Sequence, residues 1–184
     1  MYKRQTKTLA LRRIASSVRR RVRHRIVRRQ GVGRSIARAR AARAAAKWIV
    51  RTLPDPAPML DRFERDLRDL VGRAKSKAAR VIVARQPWLE KEFTPEEERR
   101  TWMFGAGKIR EETVSDYYAH SVVWNLMRRI DARVVEVAKD LGVESVDLRP
   151  VLPPTFEAWY DEMHPNARGC ERIGRALAEK IADG

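Results

Sequence analysis

The chain has 184 residues, enough for one domain with a hydrophobic core or for a smaller domain with an extension. Its formal net charge of +16 is concentrated at one end: residues 1–51 hold 18 of the 40 Lys and Arg and no Asp or Glu, leaving 22 basic residues against 24 acidic ones in the rest. A single cysteine, Cys170, excludes an intrachain disulfide and a cysteine-based metal site, and no apolar run reaches the ~18–20 residues that a membrane span needs.

Leu9, Leu11, Ile14, Val18, Val22 and Ile26 recur at mostly three- and four-residue steps among arginines, which predicts a helix over residues 6–29 with a narrow apolar stripe. Gln30-Gly31-Val32-Gly33 breaks it, and the Ala- and Arg-rich stretch Arg34–Val50 predicts a second helix. Three prolines in Pro54-Asp55-Pro56-Ala57-Pro58 cannot be helix interior and mark a boundary. Residues 1–53 therefore read as an Arg-rich helical arm, native or a non-native or inserted segment, and residues 54–184 as the folded domain. The charge of residues 1–51 fits nonspecific contact with a polyanion, nucleic acid or anionic lipid; a solvated pair of charged helices is the plain alternative. With only Tyr2 and Trp48 interleaved, there is no stacking platform for single strands. Arginines interrupt every candidate signal-peptide core, so a cytoplasmic location is expected, although an Arg-rich, acid-free start also fits an organellar transit peptide.

From Met59 the chain reads as an amphipathic helix with Leu60, Phe63, Leu67, Leu70, Val71 and Ala74 on one face. It feeds Arg80-Val81-Ile82-Val83-Ala84-Arg85, a β-branched run that predicts a strand buried on both faces. A helix, a buried strand and a further crossover point to a parallel sheet, where ligands gather beyond the carboxyl ends of the strands. Arg85, Gln86 and Trp88 are thereby candidate substrate-binding residues. In Glu90–Glu112, Thr94-Pro95-Glu96-Glu97 has the form of a helix start, and Gly105-Ala106-Gly107 that of a joint. The stretch reads as a lid whose aromatics, Trp102 among them, wall a substrate cleft, or as a long loop packed onto the body. Val114–Leu141 predicts the longest helix, with His120 as a packing residue and Gly142 as its stop; Ser145–Leu148 predicts a second strand.

Trp159-Tyr160-Asp161-Glu162-Met163-His164-Pro165-Asn166 brings together a carboxylate, an imidazole and a structural stop. If residues 161–164 form one turn, Asp161 can reach one ring nitrogen of His164 and leave the other free, the arrangement a general base needs. Pro165 forbids continuation, and Asn166 is a good cap for a C-terminal helix on which Cys170, Ile173, Leu177 and Ile181 share the apolar side. A surface carboxylate beside a loop histidine is the bland reading of the same spacing.

This block, with the preceding Val146-Asp147-Leu148-Arg149-Pro150-Val151-Leu152, resembles the last third of SGNH/GDSL-family hydrolases. The resemblance implies an α/β fold, here an incomplete three-layer α/β/α sandwich of flavodoxin-like type with few parallel strands behind a basic helical arm. It implies acyl-ester hydrolysis by a Ser-His-Asp mechanism with His164 as base and Asp161 as its orienting acid, no cofactor or metal, and a small-molecule ester as substrate. The family's Gly-Asp-Ser-Leu-like block and its oxyanion Gly and Asn blocks have no counterpart. None of the seven serines, Ser16, Ser17, Ser35, Ser76, Ser115, Ser121 and Ser145, sits in such a setting. The chain is thus expected to be a C-terminal fragment, inactive alone; the competing expectation is a basic polyanion-binding protein with a non-catalytic α/β scaffold.

Overall fold

The computed structural model describes residues 32–106 and 114–183. The helix expected over residues 6–29, the first half of the expected Gln30-Gly31-Val32-Gly33 break and the end of the expected lid from Gly107 lie outside the described residues, whereas Val32 and Gly33, expected to break the helix, are themselves helical. Residues 32–44 are helical (α1), and the chain divides into two compact units, Met1–Ala41 and Ala42–Gly184. In the first unit the described residues, 32–41, are all helical.

The expected helix Arg34–Val50 stops at residue 44, and Trp48–Val50 is instead a strand, β1. An aromatic followed by two β-branched residues favours extended backbone once a partner strand is available. That partner is β4, Asp116–Tyr118, parallel to β1 with Trp48 opposite Asp116 and Val50 opposite Tyr118. The helix expected over Val114–Leu141 is shortened by the same pairing and begins only at His120. A two-residue strand, β3 (Gly105–Ala106), runs antiparallel on the other edge of β4. Phe104, just before it, has φ 69°, a strained left-handed backbone for a side chain of its size, and its carbonyl accepts the N–H of Tyr118 at 2.9 Å.

The second sheet is a parallel pair. Ile82–Arg85 (β2) lies beside Glu144–Asp147 (β5) in the register Ile82 to Glu144 through Arg85 to Asp147, a parallel pair of the two strands expected near these positions. Between them in sequence, helix α4 (His120–Asp140) lies against both strands, and α2 (Ala57–Lys75) packs on α4. The architecture is mixed α/β with small sheets.

Helix ends follow local chemistry. Thr94 and Glu97 form a reciprocal capping box around the single turn α3, Pro95–Glu98, with Pro95 at its first position. Helix α4 stops at Gly142, whose φ of +60° lets Gly142 and Val143 donate back to Lys139 and Ala138. Asn166 caps α5 (Ala167–Ala182) by accepting the N–H of Gly169 at 3.1 Å.

Several burial expectations are corrected. Strand β2 is not buried on both faces, since Ile82, Val83 and Arg85 are half-buried and Ala84 is exposed, and Ile181, expected on the apolar side of α5, is 63% exposed. Cys170 is exposed, because α5 meets the body through the buried Gly169, one residue earlier. Leu70 is 58% exposed while its neighbour Val71 is 4% exposed, so the buried stripe of α2 is narrower than its apolar composition. The core nearest the loop at 159–165 is Leu89, Leu152, Ala158 and Trp159, with Phe93, Phe156 and Ile173 packed on it. Burying Leu89 and Leu152 stabilises the fold by about 2 kcal/mol each.

Candidate active site

The loop that follows Ala158 is closed on itself. Trp159 and Pro165 form an antiparallel bridge, Tyr160 N–H donates to the carbonyl of His164 at 2.8 Å, and Asn166 N–H donates to that of Ala158 at 2.9 Å. Trp159, 1% exposed, anchors the loop in the core, and its indole donates to the carbonyl of Pro153 at 3.0 Å.

Within that closure Asp161 and His164 meet. The Asp161 side chain is 0% exposed and both carboxylate oxygens lie 2.9 Å from His164 Nδ1. Oδ1 also accepts the backbone N–H groups of Met163 at 2.9 Å and His164 at 2.8 Å. A carboxylate that accepts from Nδ1–H leaves Nε2 with its lone pair, and the His164 side chain is 56% exposed. Among the described residues Nε2 has no hydrogen-bond partner. Five of the seven serines are described, and none hydrogen-bonds His164; Ser76 donates to the carbonyl of Arg73 and Ser115 to the Asp116 carboxylate.

The structure brings Trp102 to this pair. Its indole N–H donates to Asp161 Oδ2 at 2.7 Å, and its ring lies nearly parallel to the imidazole, 12° between planes and 6.3 Å between centroids. Sequence reasoning placed Trp102 on a cleft wall and did not foresee the bond to Asp161. It overlooked Glu162 altogether, which is 1% exposed and accepts the backbone N–H groups of Trp102 at 3.1 Å and Met103 at 2.8 Å. Burial lifts the Glu162 carboxyl above its ordinary value, opposed by those same hydrogen bonds. Two adjacent carboxylates in an aromatic-rich loop were the available signal.

Arg85, Gln86 and Trp88 make no hydrogen bond to Asp161 or His164, although Trp88 lines one cleft with Trp159 at the start of their loop. Arg85 sits at the carboxyl end of β2, its Nε donating to Asp131 of α4 at 2.7 Å and its Nη2 3.5 Å from Asp147 at the end of β5. Arg149 joins the same two carboxylates, at 2.8 Å from Asp147 and 3.3 Å from Asp131. Gln86 is exposed and donates to the carbonyl of Pro87. Trp88 is buried, with its indole N–H on Glu90 and the Arg149 guanidinium 4.7 Å from its ring centroid. Residues that follow β2 and β5, among them Trp88, Glu90, Arg149, Leu152 and Pro153, line a cleft of about 340 Å³.

A further polar cluster involves Arg43, which the sequence placed in the basic arm. It is 6% exposed; Nε donates to Thr101 Oγ1 at 2.9 Å and Nη2 to Glu98 at 3.1 Å. Nη2 also lies 3.3 Å from His120 Nε2. Burial first, then the positive charge of Arg43, pushes the His120 imidazole down to about 4, against the opposing pull of Glu98. His120 is thus neutral near pH 7, and its ring packs on Phe93 and Trp124. No group of three or more His, Cys, Asp or Glu among the described residues has a metal-holding arrangement. No described helix is long and apolar enough to cross a membrane.

Comparison with family models, curated proteins and solved structures gives no match to this chain.

Proposed function

We propose that the chain carries the acid and the base of an SGNH/GDSL-type acyl-ester hydrolase. The observation that supports this reading best is the Asp161–His164 pair: a fully buried carboxylate on Nδ1 at 2.9 Å, with the rest of the imidazole turned to solvent. In the proposed reaction His164 Nε2 takes the proton of a serine hydroxyl as its oxygen attacks the ester carbonyl. Asp161 stabilises the imidazolium, which then protonates the leaving alcohol. Water, deprotonated by the same nitrogen, releases the acyl group and regenerates the serine.

The serine and the oxyanion donors come, in this proposal, from polypeptide other than the described residues. Strands β2 and β5 would be neighbouring members of a three-layer α/β/α sheet. Their parallel register and the α4 crossover that lies against both are what such a sheet requires. The cleft beyond their carboxyl ends would receive part of the substrate.

The test is to recover the DNA upstream of this coding sequence and express the extended chain. A Gly-Asp-Ser block and hydrolysis of p-nitrophenyl acetate that is lost in His164→Ala and Asp161→Ala are expected. The chain alone is expected to hydrolyse the ester poorly, because a base without a positioned nucleophile or oxyanion donors lacks most of the transition-state stabilisation. Robust hydrolysis by the chain alone would refute the missing nucleophile; hydrolysis by the extended chain that ignores His164 would refute the assignment of the base.

A further inference from the structure

A carboxylate orients a histidine only as well as it is itself held. The torsion that turns a carboxylate about its last bond is broad, so an Asp tethered at one oxygen can swing its other oxygen away from the ring. In Asp161, Oδ1 is tethered by two main-chain N–H groups, of Met163 and His164, both within the same turn. The one described donor to Oδ2 apart from the imidazole is the indole of Trp102, at 2.7 Å.

We propose that Trp102 is a positioning residue for the Asp161–His164 pair and that the buried Glu162 holds Trp102 in place. Three features of the geometry carry this. Indole N–H is a donor that cannot accept, so it holds Oδ2 as an acceptor; the carboxylate plane is then fixed at both ends with both oxygens 2.9 Å from Nδ1. In the neutral ring that arrangement places the proton on Nδ1 and leaves the lone pair on Nε2. The indole plane also lies 12° from that of the imidazole, with 6.3 Å between centroids, so the two rings share one orientation beside the carboxylate they both bond. Finally, the loop bearing Trp102 is fixed at its main chain: the Glu162 carboxylate accepts the N–H groups of Trp102 and Met103, and the Glu162 carbonyl accepts Leu89 N–H at 3.0 Å. The residue next to Asp161 in sequence therefore fixes the distant residue that bonds Asp161 in space.

The assignment deepens the hydrolase reading and uses the same pair, but its test needs no substrate, so the two can fail separately. In the full chain labelled with ¹⁵N-histidine, neutral His164 should populate the Nδ1–H tautomer. Trp102→Phe keeps an aromatic ring and removes the donor. With the backbone spectrum otherwise preserved, it should move the tautomer ratio towards Nε2–H by about tenfold, the effect of one charge-assisted hydrogen bond. An unchanged ratio in the folded variant overturns the proposal. If Trp102→Phe does not fold, the wild-type chain decides: the Trp102 indole N–H resonance should move as His164 takes up its proton, because both bond one carboxylate. An indole resonance that stays fixed while His164 titrates overturns it equally.

Discussion

One oxygen of Asp161 holds His164 twice: Oδ1 accepts the backbone N–H of His164 at 2.8 Å and lies 2.9 Å from its Nδ1. The atom that closes the local turn also aims the ring, so turn geometry and side-chain orientation are coupled through a carboxylate that solvent does not reach. Asp161→Ala is expected to leave the N–H groups of Met163 and His164 and the Trp102 indole without an acceptor, and to cost about 2–4 kcal/mol in urea unfolding. Asp161→Asn retains one acceptor oxygen and should cost clearly less. Equal, small losses for both variants would show that the carboxylate is not the organising group of the loop.

Gly169 makes a sharper packing prediction. A Cβ there would overlap the carbonyl oxygen of Ala158 and sit 2.9 Å from Pro165 Cβ, and a backbone carbonyl cannot move aside cheaply. Gly169→Ala should therefore destabilise the chain by about 1–3 kcal/mol, by forcing α5 away from the loop. Gly174, on the same helix, has open space around its Cα. Gly174→Ala should raise stability by about 0.5–1 kcal/mol through helix propensity. Thermal unfolding of the pair reads both signs, and a stabilising Gly169→Ala would contradict the close approach.

The lowered His120 pKa gives a pH dependence with a defined sign. Between pH 6.5 and about 4 the unfolded chain binds a proton at His120 that the fold does not, so stability falls as the solution is acidified through that window. The contribution is up to about 3 kcal/mol, and His120→Gln should reduce the slope of stability against pH by about one proton. Urea midpoints at pH 7, 6, 5 and 4 check this; an undiminished slope in the variant would mean that other groups set the acid limit.

Removal of the basic N-terminus should be made before Arg43. Deleting Met1–Ala41 takes the chain from 40 basic residues to 25 against 24 acidic ones, while sparing Arg43 and β1. Retention on heparin should drop with little change in unfolding temperature, as expected of a charge-driven, salt-sensitive contact. Deleting residues 1–51 should instead lower stability, because it removes the guanidinium on Thr101 and Glu98 and the strand beside β4. Unchanged heparin retention in the shorter deletion would remove the arm as the polyanion contact.

What could be read in advance was whatever is decided within a few residues. Asp161 and His164 are three apart, so a single turn joins them. Thr94-Pro95-Glu96-Glu97 caps its own helix, and Gly142 ends α4 by adopting a backbone few other residues tolerate. The β2–β5 pair was also visible, because short strand-forming stretches after long helical patterns admit few alternatives. Strands β1, β3 and β4 were not, since two or three residues carry no measurable alternation and Trp48-Ile49-Val50 becomes a strand only when Asp116–Tyr118 lies beside it.

By itself, then, the sequence determined the local contact of Asp161 with His164, the stops and caps around it, and the uneven distribution of charge, because each depends on neighbours along the chain. Only the tertiary structure decided that Trp102 completes the shell of Asp161 across 59 residues, that Glu162 fixes Trp102, and that Arg43 lies buried on Thr101 rather than in solvent. Such contacts arise from the burial of polar groups. A buried carboxylate or guanidinium must be met by whichever donors and acceptors the fold carries to it, and no spacing in the sequence names them.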